Sequence, residues 1–304
     1  MFNLNTFVQL IADGLAQGSI YAALALAIVI VNQTTGLINF AQGGMAVLAA
    51  YLGMTASNLL IPVVGSFAGI IGGILFAVGA SFALGAALER FVMRRFMGGD
   101  PDTAVVATIG LLTLITGLCG LIWTYNYIPY PFFFPSGASF MVGGIAISVW
   151  SLTTFLTILA MMLVLQLLFR GTKLGLGLRA ISINSRSAAL SGIRVGGLLM
   201  VGWGLAAALG AIAGVLVAAK VQLVPDMFDA YLVYALAAVI IGGLDSPFGT
   251  VIAAWGIAVM ENLAAAYLPF VGHDLKIAVP FVALFLVLIL KPEGLFGRKV
   301  VVRV

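Results

Sequence analysis

This sequence predicts an all-α, polytopic bundle of membrane-crossing helices, and three observations carry that prediction. Hydrophobic residues make up 63% of its 304 residues and charged residues only 8%, with a mean hydropathy of +1.21. Soluble domains carry about 25% charged residues, so this chain cannot cover a water-facing surface. Apolar runs recur at the ~20-residue length that a helix needs to cross a bilayer core. The cations, finally, are confined to a few connecting stretches, as the positive-inside rule requires.

The first apolar run spans 7–31. Its approach, "MFNLNTF", has no Lys or Arg. It lacks the charged start of a cleaved signal peptide, so the run is expected to be retained. Further runs follow at 36–57, 61–88, 103–125 and 146–169, then at 195–219, 230–243, 249–268 and 277–290. The run 230–243 is short for a full crossing and reads as a half-helix or re-entrant piece; 36–57 is a second candidate for re-entry. Eight or nine crossings are expected in one domain covering 1–304. The helices are apolar all round, so periodicity says little about their faces. Small residues say more: Gly69 to Leu88 and Gly196 to Gly214 carry Gly and Ala at helical spacing. Such faces let helix backbones approach closely in lipid. Packing within the chain is the first reading, a dimer contact the second.

Three regions hold nearly all the cations: Arg90, Arg94 and Arg95; Arg170, Lys173, Arg179, Arg186 and Arg194; and Lys291, Arg298, Lys299 and Arg303. Only Lys220 and Lys276 fall elsewhere, and the loop 126–145 has none. The three regions, and with them the C-terminus, are therefore placed in the cytoplasm. Three crossings before the first basic loop put the N-terminus outside; re-entry of 36–57 would put it inside. The net charge of +4 follows from loop placement and gives no reason to expect nucleic acid as a partner.

Several chemistries are disfavoured. With one cysteine, Cys119, and one histidine, His273, in an expected outer loop, a disulfide within the chain and a cysteine metal site are excluded. No G-x-x-x-x-G-K-[ST], H-E-x-x-H or nucleophile elbow with a buried His occurs. No catalytic residue, metal or cofactor is assigned to the chain, and any nucleotide hydrolysis must occur elsewhere. Ion-coupled carriers usually place several carboxylates or His at mid-membrane. Here Asp13, Glu261 and Asn262 are the few polar residues in apolar runs, at depths from which headgroup water is within reach.

Two polar, glycine-bearing interruptions stand out: "TTGLINFAQGGM" (Thr34 to Met45) and "IGGLDSPFGT" (Ile241 to Thr250). Each has Gly-Leu, then polar residues, then a Gly opening a run of small and apolar residues, which suggests an internal duplication. Unwound backbone at membrane depth is tolerated only inside protein or along a wet cavity. Paired interruptions point to a substrate route in transporters. The candidate substrate-contacting residues are Asn39, Phe40, Gln42 and Gly43 in the first interruption, with Gly243, Asp245 and Ser246 in the second. Asp-Ser-Pro is also good turn chemistry, and both readings hold if the turns dip into the bundle.

At these residues the chain resembles the branched-chain amino acid ABC transporter permeases. The resemblance runs through Gly18, Ser19, Tyr21, Ala22, Thr35, Gly36, Asn39, Phe40, Ala41 and Gly43. It continues at Gly177, Arg179, Ala180, Asn184, Ala188, Gly192 and Ile193, and then at Gly242, Gly243, Ser246, Gly249 and Glu261. It covers roughly 10–295. It implies a subunit of a bacterial cytoplasmic (inner) membrane importer. The implied partners are a homologous second permease subunit, two cytoplasmic ATPases carrying ATP-Mg, and a periplasmic or lipid-anchored binding protein. Related permeases serve branched-chain or other neutral amino acids, or urea and short amides. An ion-coupled carrier or channel without an ATPase is the alternative of another class.

An ATP-driven permease without its own ATPase needs a cytoplasmic lever. The loop 170–194 offers one: residues 178–191 are expected to form a short helix bounded by Gly175, Gly177 and Gly192. Its Ala and Ile positions, with Ala180 and Ala188, form a small apolar face. Arg179, Asn184 and Arg186 offer polar contacts to a partner.

Overall fold

Helix α1 (Leu4–Thr35) is the axis around which the chain folds. Its most apolar 18-residue window is 89% buried inside the protein, and a helix that is hydrophobic all round suits full enclosure. The computed structural model describes residues 4–96, 100–135, 137–269 and 275–297; His273, Arg298, Lys299 and Arg303 lie outside the described residues.

Around α1 the order is α2 (Gln42–Val64), α3 (Ser66–Phe91), α4 (Pro101–Ile122), a hairpin of β1 (Ser139–Val142) and β2 (Ile145–Ser148), then α5 (Val149–Gly171). Two short helices follow, α6 (Lys173–Ile183) and α7 (Ser185–Leu190). The chain re-enters the bundle with α8 (Val195–Val221), α9 (Asp229–Gly242), α10 (Pro247–Tyr267) and α11 (Ala278–Leu290). Among the described residues, seven helices are long and apolar enough to cross a membrane: α1 to α5, α8 and α10. The expected eight or nine crossings thus divide into these seven and two short helices. At 14 and 13 residues, α9 and α11 span only about 20 Å each, against a core of about 30 Å.

The hairpin lies across the end of the loop expected at 126–145 and the first residues of the run expected at 146–169. Its turn is Gly143-Gly144, both at positive φ (58° and 85°), as tight two-residue hairpin turns demand. The small-residue faces pack within the chain. A Cβ on Gly18 would lie 2.8 Å from the Ala254 carbonyl oxygen of α10, and one on Gly85 would lie 2.5 Å from the Trp203 carbonyl oxygen of α8. Contact this close maximises dispersion where lipid supplies no hydrophobic drive.

The cation-bearing regions meet at one end. Arg94 donates to the Gly196 carbonyl at 2.7 Å. The Leu295 and Phe296 N–H groups of the tail donate to Ile241 and Gly242 at 2.7 and 3.1 Å. Phe96, Arg170, Arg179 and Asp245 line one cavity there.

Candidate functional site

The first interruption is an irregular linker between α1 and α2. Gly36, at φ +72°, reverses the chain after Thr35, and the linker runs back into the bundle. The Asn39 Oδ1 accepts from the Ala41 N–H at 3.0 Å, and its Nδ2 donates to the Gln42 Oε1 at 3.3 Å. The Gln42 Nε2 donates to the Ala206 carbonyl at 2.9 Å. The Phe40 N–H donates to the Thr108 Oγ1 at 3.3 Å. Ala206 lies about 16 Å along α8 from its start, so α2 begins well inside the bundle. Asn39 and Gln42 are fully buried, Gly43 packs on Phe228 and Leu232, and Phe40 is half-buried. These side chains stitch the unwound segment to α8, since buried polar groups must be hydrogen-bonded.

The second interruption sits beside the end of α1. The Gln33 Nε2 donates to the Asp245 carbonyl at 2.9 Å. Gly243 has φ +101°, and a Cβ there would fall 2.7 Å from the Gly297 nitrogen, so only glycine fits. The Ser246 Oγ accepts from the Gly249 N–H at 3.0 Å and caps α10, with Pro247 following. Of the seven residues expected to contact substrate, only Asp245 lines the cavity at this end. The two interruptions are joined through the last turns of α1, and their polar side chains do not converge.

The cavity measures about 1160 Å³. It runs between α1, α5 and α8, with α6 and with Asp245, Pro247 and Phe248 also lining it. Arg170 and Arg179 are exposed there.

The loop segment forms two helices where one was expected over 178–191. Asn184 adopts an extended conformation (φ −159°, ψ 102°) that ends α6, and its Oδ1 caps α7 by accepting from the Ser187 N–H at 2.9 Å. An Asn side chain at a helix start competes with continued helix in this way. Gly175 and Gly177 lie inside α6 rather than bounding it. A Cβ on Gly175 would clash with the Leu168 carbonyl, and one on Gly177 with Leu198. Gly192, at φ +82°, does terminate α7. Ile181 and Ala188 turn inward and are buried, whereas Ile183 and Leu190 are 85% and 87% exposed. The apolar face offered outward is therefore Ile183 and Leu190, with exposed Arg179, Asn184 and Arg186 beside it and Ala180 half-buried. Rotational phase within a short helix decides this, and a pattern with apolar residues at several phases does not reveal it.

Two polar constellations were missed by the sequence reading. At the cation-rich end of α3, fully buried Glu89 accepts from Arg94 through both oxygens, at 3.0 and 2.5 Å. It is the one ion pair among the described residues. Towards the opposite end, Glu261 is 3% and Asn262 is 9% exposed, which corrects the expectation that both reach headgroup water. Tyr21 and Tyr234 donate to the Glu261 carboxylate at 3.2 and 3.3 Å, and their rings stack at 4.5 Å. Asn262 donates to the Leu10 carbonyl at 3.4 Å. Asp13, by contrast, is exposed as expected.

Comparison with known proteins matches residues 10–289 to the family of the branched-chain amino acid transport system / permease component. The chain is 27% identical to the high-affinity branched-chain amino acid transport system permease protein LivH of Salmonella typhimurium, over 98% of each chain. It is 26% identical to BraD, described in the same words, of Pseudomonas aeruginosa, again over 98% of each. A probable branched-chain amino acid transport permease protein LivH of Methanocaldococcus jannaschii is 28% identical, over 86% of this chain and 82% of that one. With a family match over most of its length and a bundle of long apolar helices beneath it, the chain belongs to the branched-chain amino acid transport permease family.

Proposed function

We propose that this chain is the membrane-spanning permease subunit of an ATP-driven importer of branched-chain or related neutral amino acids. It sits in a bacterial inner membrane with its cation-rich end in the cytoplasm and its N-terminus outside. A second, homologous permease subunit completes the pathway, two cytoplasmic ATPases binding ATP-Mg drive it, and a periplasmic or lipid-anchored binding protein delivers the solute.

The observation that carries this reading is the α6–α7 pair. Ile183 and Leu190 project from the bundle at the cation-rich end, and the chain has no nucleotide-binding motif of its own. Two exposed large apolar residues beside Arg179 and Arg186 suit docking into a groove on a separate motor. The helices are anchored well enough to transmit a push. Ala188 is buried against the chain's own residues, and the Ile193 N–H donates to the Ala188 carbonyl at 3.1 Å. Solute contact at Asn39 or Gln42 requires α2 to part from α8, because their side chains are engaged between those elements.

The test is Leu190→Glu in the full chain, co-expressed with its ATPases and binding protein. Membrane insertion and yield should be unchanged, while solute-stimulated ATP hydrolysis and co-purification of the ATPases should fall at least tenfold. Normal coupling in this variant would remove the docking assignment. Leucine uptake by the purified chain alone, driven by an ion gradient without ATP, would replace the reading with a carrier.

A further inference from the structure

Both polar interruptions border the cavity at the cation-rich end. Thr34, Thr35, Gly36 and Leu37 line it from the first, and Asp245, Pro247 and Phe248 from the second. Its exposed lining residues, among them Gly36, Gln166, Arg170, Arg179 and Asp245, lie at that end, so the cavity opens to water there. Inward it closes on Leu26 and Leu165, which are buried, and on half-buried Met162. Leu26 lies nine residues before the end of α1 at Thr35, and Met162 nine before the end of α5 at Gly171. Both are thus about 14 Å inward. On α5 the lining residues Met162, Leu165, Gln166 and Phe169 share one helical face, opposite the exposed Leu163, Val164 and Leu167.

Charges of both signs stand on the cavity walls without a partner of their own. Arg170 comes from α5, Arg179 from α6 and Asp245 from the turn before α10. None of the three takes part in an ion pair among the described residues, so opposite charges face one space without touching. The Gln33 Nε2 donates to the Asp245 carbonyl at 2.9 Å and fixes the backbone that carries this carboxylate. Asn32 and Gln166 add neutral donors and acceptors to the same walls. The volume of about 1160 Å³ exceeds the range of roughly 300–1,000 Å³ that encloses ordinary small ligands, which suits an open chamber holding a small solute together with water.

We propose that this cavity is the cytoplasm-facing chamber of the solute route, and that it holds an aliphatic α-amino acid as its zwitterion. The assignment rests on reading the chain as an amino acid permease. Arg170 donates to the solute carboxylate through paired N–H groups. The solute ammonium donates to the Asp245 carboxylate, and the aliphatic side chain lies on Leu26, Met162 and Leu165. Arg179, which also borders the α6–α7 docking face, adds a second cation at the rim. A zwitterion bridges two opposite charges that do not reach each other. Urea and short amides neutralise neither charge, and an amine or an acid neutralises one, so the chamber discriminates against all of them.

The test is labelling of Met162→Cys by an impermeant, charged methanethiosulfonate. The reagent is applied to the cation-rich side of membrane vesicles that hold the permease with its ATPases and binding protein. The chain's one native cysteine, Cys119, is buried and is replaced by Ala. Labelling should proceed, and saturating leucine should slow it at least about tenfold. Isoamylamine and isocaproate, each lacking one charged group, and urea should leave the rate unchanged at the same concentration. Arg170→Gln and Asp245→Asn should each abolish the protection by leucine without altering labelling in its absence. Ser182→Cys, on the exposed surface of α6 where it lines the cavity, gives the same comparison should Met162→Cys not insert. No labelling overturns the chamber. So does labelling that leucine leaves unchanged while the same vesicles take up leucine with ATP, and the importer reading then stands without it. Protection by urea, or by isoamylamine as well as by leucine, overturns the zwitterion. Absence of ATP-driven leucine uptake by the wild-type assembly overturns instead the importer reading on which the assignment rests.

Discussion

Replacing Arg94 with Ala should destabilise the bundle by about 3 kcal/mol, and the value follows from how its partner is buried. Glu89 has no exposed surface, and Arg94 holds both of its carboxylate oxygens while also donating to Gly196. Removing one member of a buried pair typically costs about 3–5 kcal/mol, because the other charge is left uncompensated. The Arg94 side chain is 39% exposed, so water can enter the vacated space, and the lower end of that range applies. Glu89→Gln removes the charge but keeps the shape and should cost about 1–2 kcal/mol. The double variant Arg94→Ala with Glu89→Gln should then be more stable than Arg94→Ala alone by at least about 1 kcal/mol, a coupling expected of groups in direct contact. Equilibrium unfolding in mixed micelles, followed by tryptophan fluorescence, measures all three. Trp203 is a suitable reporter, since it is fully buried on α8 with its carbonyl against Gly85 of α3. A double variant no more stable than Arg94→Ala would refute the view that a buried charge is what Arg94 compensates.

Two further outcomes are expected. Gly18→Val should prevent α1 from seating on α10, because the added carbon meets the backbone of Ala254 and Trp255 at 2.8 Å; folded yield and protease resistance should collapse. Gly79→Val, with nothing within 4 Å, should leave both unchanged. Glu261→Leu should cost about 1–3 kcal/mol by removing the acceptor of two buried tyrosine hydroxyls. Glu261→Gln, which keeps an acceptor oxygen, should cost less in the same unfolding assay.

The placement of the helices was legible because it rests on local properties. A run of apolar residues long enough to cross lipid is visible without knowing its neighbours, and every expected run contains a helix. The interruption at Thr34 to Met45 was legible for the same reason: Gly36, Asn39 and Gln42 break an apolar run. What those side chains do was not. Asn39 and Gln42 read as solute contacts, and their further part in binding the unwound segment to α8 carries no local signal. Asp245 also reads as a solute contact; it lines the cavity, and the side chain that reaches its carbonyl, Gln33, is 212 positions away in the chain.

By itself, then, the sequence determined a membrane bundle, the positions of its helices, the clustering of cations and the family. Hydropathy, charge and motif are carried by short stretches of chain. Only the tertiary structure decided that Ile183 and Leu190 face outward while Ala188 faces inward. It alone decided that Glu89 and Glu261 are buried with partners, and that Arg170 and Arg179 share a cavity with Leu26. Helices that are apolar on every side carry no pattern that tells a lipid-facing surface from a protein-facing one. That choice is made by which small residues let which backbones approach, and it exists only once all the helices are packed.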